Sequence, residues 1–166
     1  MQRRTAGRNP LGNRGVVYRG SPDDAALNRS VARDAADPAA VAALAADTAP
    51  TGRIPVPVLT VHGIDDAVAF VELESALRST LLAAGTAGHL VQTFTADAEH
   101  RDLTDAAYAT LLAALLHWVD AGVVPTPASI AQRCAALAPP LNTGCRFLPD
   151  FQPAPLATRV PDRLRP

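Results

Sequence analysis

The 166-residue sequence contains no lysine, so all 15 of its basic residues other than histidine are arginine; this reflects coding composition and carries no chemical message. Aromatic residues make up 4% of the chain. A core built from Ala, Leu and Val follows, with strong helix propensity and little aromatic bulk. No uninterrupted apolar run approaches the roughly 18 residues a membrane-spanning helix needs, and Met1-Gln-Arg-Arg leads into polar, Gly- and Pro-containing sequence rather than an apolar signal core. The expectation is a soluble chain with no membrane span and no visible export signal. A formal net charge of -1 with 48% hydrophobic residues removes the basic excess expected of a nucleic-acid binder and the polarity of a disordered chain. The only two cysteines, Cys134 and Cys145, lack CxxC spacing and a flanking histidine, which argues against a metal site. The short turn-rich stretch between them allows a disulfide, which would imply an oxidising, secreted or periplasmic setting; two free thiols in a reducing compartment are the alternative.

The length suits one globular domain. Residues Met1 to Gly20 show no helical period, with turn signals at Asn9-Pro10, Gly12-Asn13 and Gly15. Ser21-Pro22-Asp23-Asp24 supplies a cap, a proline and an early carboxylate, and predicts a helix to about Ala36. Asp37-Pro38 repeats the device and predicts a second helix to about Asp47, making a helical hairpin within residues 1–52.

From Val56 to Val61 a continuous β-branched run predicts a strand buried on both faces of a parallel sheet. It stops at His62-Gly63-Ile64-Asp65-Asp66. A helix from Val71 to Ala84 closed by Gly85, a strand from Leu90 to Thr95, a polar loop from Ala96 to Leu103 and a long helix capped by Thr104 complete a βαβα unit over residues 53–122. Tyr108, Leu111, Leu112, Leu115, Leu116 and Val119 form one helical stripe, expected to pack on the sheet. Residues 123–166 hold a short helix from Thr126-Pro127 to about Leu137 and then a Pro-rich strap. Two strands make a marginal parallel sheet, so further strands upstream, lost by truncation, are the expectation, and the open sheet edge would favour self-association.

In open α/β sheets the chemistry gathers in loops past the C-terminal strand ends. Each of the two loops here holds a candidate: Asp66, with Asp65 beside it, after the first strand, and His100, within Ala98-Glu99-His100-Arg101-Asp102, after the second. A carboxylate that fixes an imidazole and a histidine that moves a proton are two parts of a catalytic triad. The plainer readings are that Asp66 closes a turn or caps a helix, and that His100 is a solvated loop residue. His62 suits packing and turn geometry, Glu99 could tune His100, and His89 and His117 fall outside these loops.

The order strand, His-Gly-x-x-Asp-x-x-Val, helix, strand, loop histidine resembles the C-terminal part of the α/β-hydrolase family, from about Pro55 to Gly122. The resemblance implies a partial three-layer αβα fold, the helical hairpin in the position of a substrate-covering lid, Asp66 as triad acid, His100 as triad base, an ester or acyl substrate and no cofactor. The family's Gly-x-Ser-x-Gly nucleophile elbow and oxyanion segment are absent. Ser21 has no strand before it, and Ser75, Ser79 and Ser129 fall on helices. The expected function is therefore a fragment of a serine ester hydrolase, inactive alone. The alternatives are a non-catalytic interaction module or the complementing half of a split hydrolase.

Overall fold

A computed structural model describes residues 4–100, 102–141 and 144–160. The chain divides into two compact units, the first running to Pro50 and the second beginning at Thr51, where the sequence reading expected one domain.

In the first unit, helix α1 (Asp24–Ser30) is capped by Asp23, whose side chain accepts from the Ala26 amide. Ser21, expected as the cap, instead donates its hydroxyl to Asp24 Oδ1. The helix ends six residues before Ala36 because Arg33 is recruited elsewhere: its guanidinium donates to the carbonyls of Asn13 and Val16, and the Asp34 amide donates to the Asn13 side chain. These tertiary bonds outcompete helix propagation. Helix α2 (Pro38–Thr48) follows the predicted Asp37-Pro38 start, with Asp37 accepting from the Ala40 amide.

The second unit holds the mixed αβ part: strand β1 (Val58–Gly63), helix α3 (Leu73–Ala83), strand β2 (Leu90–Thr95), helix α4 (Asp105–Ala121), helix α5 (Pro127–Leu137) and the single turn α6 (Leu156–Arg159). The strands pair in parallel, from Val58 beside Leu90 to Gly63 beside Thr95. β1 starts just past Pro57, which has no N–H to give a ladder. On one face of the pair, Leu59 and Val91 pack with Ala114 and Trp118 of α4 and Ile130 of α5. On the other, Thr60 and Gln92 reach Glu74 of α3.

Two expectations need correction. β2 is buried along most of its length, but every residue of β1 is half-buried; among the described residues each strand has one strand neighbour, and the Phe147 segment covers the end of the other edge of β2. The α4 stripe is also divided. The helix lays Ala107, Thr110, Ala114 and Trp118 on the core, flanked by Leu111 and Leu115. Tyr108, Leu112, Leu116 and Val119 remain at least half exposed. Ala107, Thr110 and Ala114 allow close approach while Trp118 fills the core beside them, and that face packs in place of the aliphatic one next to it.

The tail is fastened more firmly than an aperiodic sequence suggests. Cys134 of α5 and Cys145 form a disulfide, their Cα atoms 5.8 Å apart. Beyond it, Phe147 pairs antiparallel with Thr95 at the end of β2, and the Leu148 amide donates to the Phe94 carbonyl at 2.8 Å. Further on, the Leu156 amide donates to Ser75 Oγ on α3, and the Arg159 guanidinium covers the Phe70 ring at 4.6 Å. The last six residues of the expected strap, 161–166, lie outside the described residues.

Candidate active site

The parallel register brings the C-terminal ends of β1 and β2 side by side, so the loops that follow them rise over the same sheet edge. Gly63 permits this contact. A Cβ there would stand 2.5 Å from the Asp97 carbonyl oxygen, and any larger residue would force the two loops apart. The Ile64 amide donates to the Thr95 carbonyl at 2.9 Å and seals the start of the junction.

Above it the two candidates meet. His100 Nδ1 lies 2.6 Å from Asp66 Oδ2. A carboxylate only accepts, so Nδ1 carries a proton and donates it; in the neutral imidazole the lone pair is then on Nε2. The other carboxylate oxygen, Oδ1, accepts from the amides of Val68 at 2.7 Å and Ala69 at 3.0 Å. Asp66 thus closes a turn and binds His100 at once, so its structural and its candidate chemical roles coincide. Its side chain is 8% exposed and that of His100 33%. The His100 imidazole first, then the Ala69 amide, lowers the Asp66 carboxyl from its ordinary value of 3.8 to about 2; burial opposes this and is outweighed. Asp65 is exposed, so of the neighbouring carboxylates it is Asp66 that pairs with the histidine.

Around the pair lies a cleft of about 300 Å³, with His62, Asp97, Glu99, Asp102, Leu103 and Tyr108 among its walls. Among the described residues no group bonds His100 Nε2. The structure places Glu99 and Asp102 on this wall without a bond to the imidazole, and Arg101 lies outside the described residues. His62 is tied to Ala69 and faces Glu74. His89 bonds the Ile54 carbonyl through Nδ1 at 2.6 Å, away from the pair. His117 is exposed on α4.

Among the described residues no serine or cysteine lines the cleft. All five serines are held by local acceptors: Ser21 by Asp24, Ser30 by the Leu27 carbonyl, Ser75 by that of Glu72, Ser79 by that of Ser75, and Ser129 by that of Thr126. Among the described residues no three His, Cys, Asp or Glu side chains are grouped to hold a metal ion, and no helix is long and apolar enough to cross a membrane.

Two residues that support the histidine loop carry no motif in the sequence. Asp97, its side chain 9% exposed, accepts from Arg146 Nη1 at 3.0 Å. The Ala96 amide donates to the Arg146 carbonyl at 2.9 Å. The segment anchored by the disulfide therefore braces the loop on which His100 sits. Nothing in the local pattern of either stretch announces a partner so far along the chain.

No known protein family, curated protein or solved structure matches the chain.

Proposed function

We propose that this chain supplies the acid and the base of a serine hydrolase acting on carboxylic esters through an acyl-enzyme, with the nucleophilic serine contributed from outside it. The observation that carries the reading is the 2.6 Å bond between His100 Nδ1 and Asp66 Oδ2, with the second carboxylate oxygen pinned by two backbone amides. Asp66 is ionised throughout the neutral range, since its carboxyl titrates at about 2. It holds the imidazole through Nδ1, leaving Nε2 unbonded among the described residues, and stabilises the imidazolium that forms when Nε2 takes the serine proton. As the tetrahedral intermediate collapses, the same nitrogen returns the proton to the departing alcohol. Water then repeats the sequence and releases the acid. The parallel βαβα order, with acid and base at consecutive strand ends, supports the same reading through its resemblance to the α/β-hydrolases.

The test is expression of the full reading frame that contains these residues, followed by fluorophosphonate labelling and a fluorogenic ester panel. The expected result is label on a serine outside residues 1–166 and ester turnover, both lost in His100→Ala, with turnover falling by about 10³-fold or more. Turnover near the parent level in His100→Ala would defeat the proposal.

A second reading, a non-catalytic interaction module, is favoured by one observation: among the described residues no serine or cysteine lines the cleft, while the Tyr108, Leu112, Leu116 and Val119 face of α4 stands exposed. Failure of any serine to label in the extended protein would select it.

A further inference from the structure

We infer that His62 is a positioning residue for the Asp66–His100 pair, holding in place Ala69, the residue whose amide holds the Asp66 carboxylate. The inference rests on the reading that Asp66 and His100 act as a pair.

His62 is the penultimate residue of β1, its side chain 12% exposed. Nε2 lies 2.9 Å from the Ala69 carbonyl oxygen. A carbonyl can only accept, so Nε2 carries a proton and donates it. The amide of the same residue, Ala69, donates to Asp66 Oδ1 at 3.0 Å. The imidazole thus fixes one end of a residue whose other end fixes the carboxylate, and Asp66 Oδ2 then meets His100 Nδ1 at 2.6 Å. Freed from His62, Ala69 loses the bond that fixes its carbonyl end, and its backbone could shift its amide away from Oδ1, leaving the Val68 amide as the remaining backbone donor. His62 is not itself a second base for the cleft, because its Nε2 is committed to Ala69 and its ring is largely covered.

On the far side of the ring, Nδ1 faces Glu74 Oε1 at 3.5 Å. The other Glu74 oxygen accepts from Thr60 Oγ1 at 2.7 Å and from Gln92 Nε2 at 2.6 Å. Thr60, His62, Gln92 and Glu74 therefore make a covered polar cluster where α3 crosses the two strands. Apolar residues of similar size would serve a purely structural sheet-to-helix contact at least as well, because covering carboxylate, amide and imidazole costs desolvation. A polar cluster kept at such a place, with a hydrogen bond from His62 leading to Ala69 and on to Asp66, is what a site-orienting role requires.

The test uses the chain itself and needs no substrate. His62→Leu removes the donor to Ala69, and His62→Gln restores an N–H of similar reach. Two NMR signals report on the pair: the far-downfield proton of His100 Nδ1–H, assigned by its loss in Asp66→Asn, and the acid titration of the Asp66 carboxyl carbon. In His62→Leu, with circular dichroism showing the fold retained, the downfield proton should weaken or move upfield, and the Asp66 midpoint should rise from about 2 toward 3.8. His62→Gln should return both toward the parent. Signals unchanged in His62→Leu, or a change that His62→Gln does not reverse, would overturn the inference. A parent chain with no downfield proton sensitive to Asp66→Asn would instead refute the pairing, and with it the inference. If His62→Leu does not fold, scalar coupling across the hydrogen bond from His62 Nε2 to the Ala69 carbonyl carbon in the parent decides: its presence supports the inference and its absence overturns it.

Discussion

Gly63 and Asp97 meet backbone to backbone: a Cβ on Gly63 would stand 2.5 Å from the Asp97 carbonyl oxygen, closer than non-bonded atoms approach. Gly63 ends the strand before Asp66 and Asp97 lies in the loop that carries His100, so this contact joins the bases of the two candidate loops. Gly63→Ala should destabilise the second unit by about 1–3 kcal/mol, the range for overpacking, and should weaken the Asp66–His100 bond. Urea denaturation and the downfield His100 proton measure the two effects. A variant as stable as the parent with its proton signal intact would show that the loops do not depend on this contact.

The response to acid follows from Asp66. Its folded-state carboxyl titrates at about 2 against an ordinary value of 3.8, so on acidification the unfolded chain takes up the proton first. The contribution of this group to stability is present above pH 3.8 and is lost as pH falls from there through about 2. Thermal melts at successive pH values in that window should show a smaller decline for Asp66→Asn than for the parent. Parallel declines would mean that Asp66 is not the group responsible.

The disulfide between Cys134 and Cys145 closes a short loop, which by chain entropy corresponds to about 3 kcal/mol. Replacing both cysteines by serine should lower the melting temperature by roughly 10 °C in a unit of this size. It should also loosen the Arg146–Asp97 contact beneath the histidine loop. Calorimetry of the oxidised, reduced and doubly substituted chains checks this, and equal melting temperatures would contradict it.

The divided face of α4 can be resolved by substitution. Trp118, 6% exposed in the core, should cost about 3–5 kcal/mol when truncated to alanine. Leu112, 60% exposed, should change stability by no more than about 0.5 kcal/mol under the same substitution. Comparable losses would mean that the exposed stripe is covered in solution.

Much of the second unit is legible in local sequence, because its signals are local. Thr104 and Thr126 start helices by accepting amides one turn on. The β-branched run before His62 and the segment from Leu90 to Thr95 give both strands. Asp66 and His100 could be named because strand ends are where α/β sheets gather chemistry. The features that escaped depend on distant partners. Arg33 shortens α1 by bonding Asn13 and Val16. Arg146 and Phe147 brace the end of β2 from about 50 residues away, with no periodicity to mark them. The α4 stripe misled for another reason: its apolar residues wrap more than one face, and pattern alone does not say which face the small side chains will dock.

The pairing of Asp66 with His100 is tested most directly by following the Asp66 carboxyl carbon through an acid titration of the chain and of its His100→Ala variant. The expected midpoint is about 2 in the chain, returning toward 3.8 once the imidazole is gone. A midpoint in the ordinary carboxylate range in both proteins, indifferent to His100, would contradict the pairing and the hydrolytic role built on it.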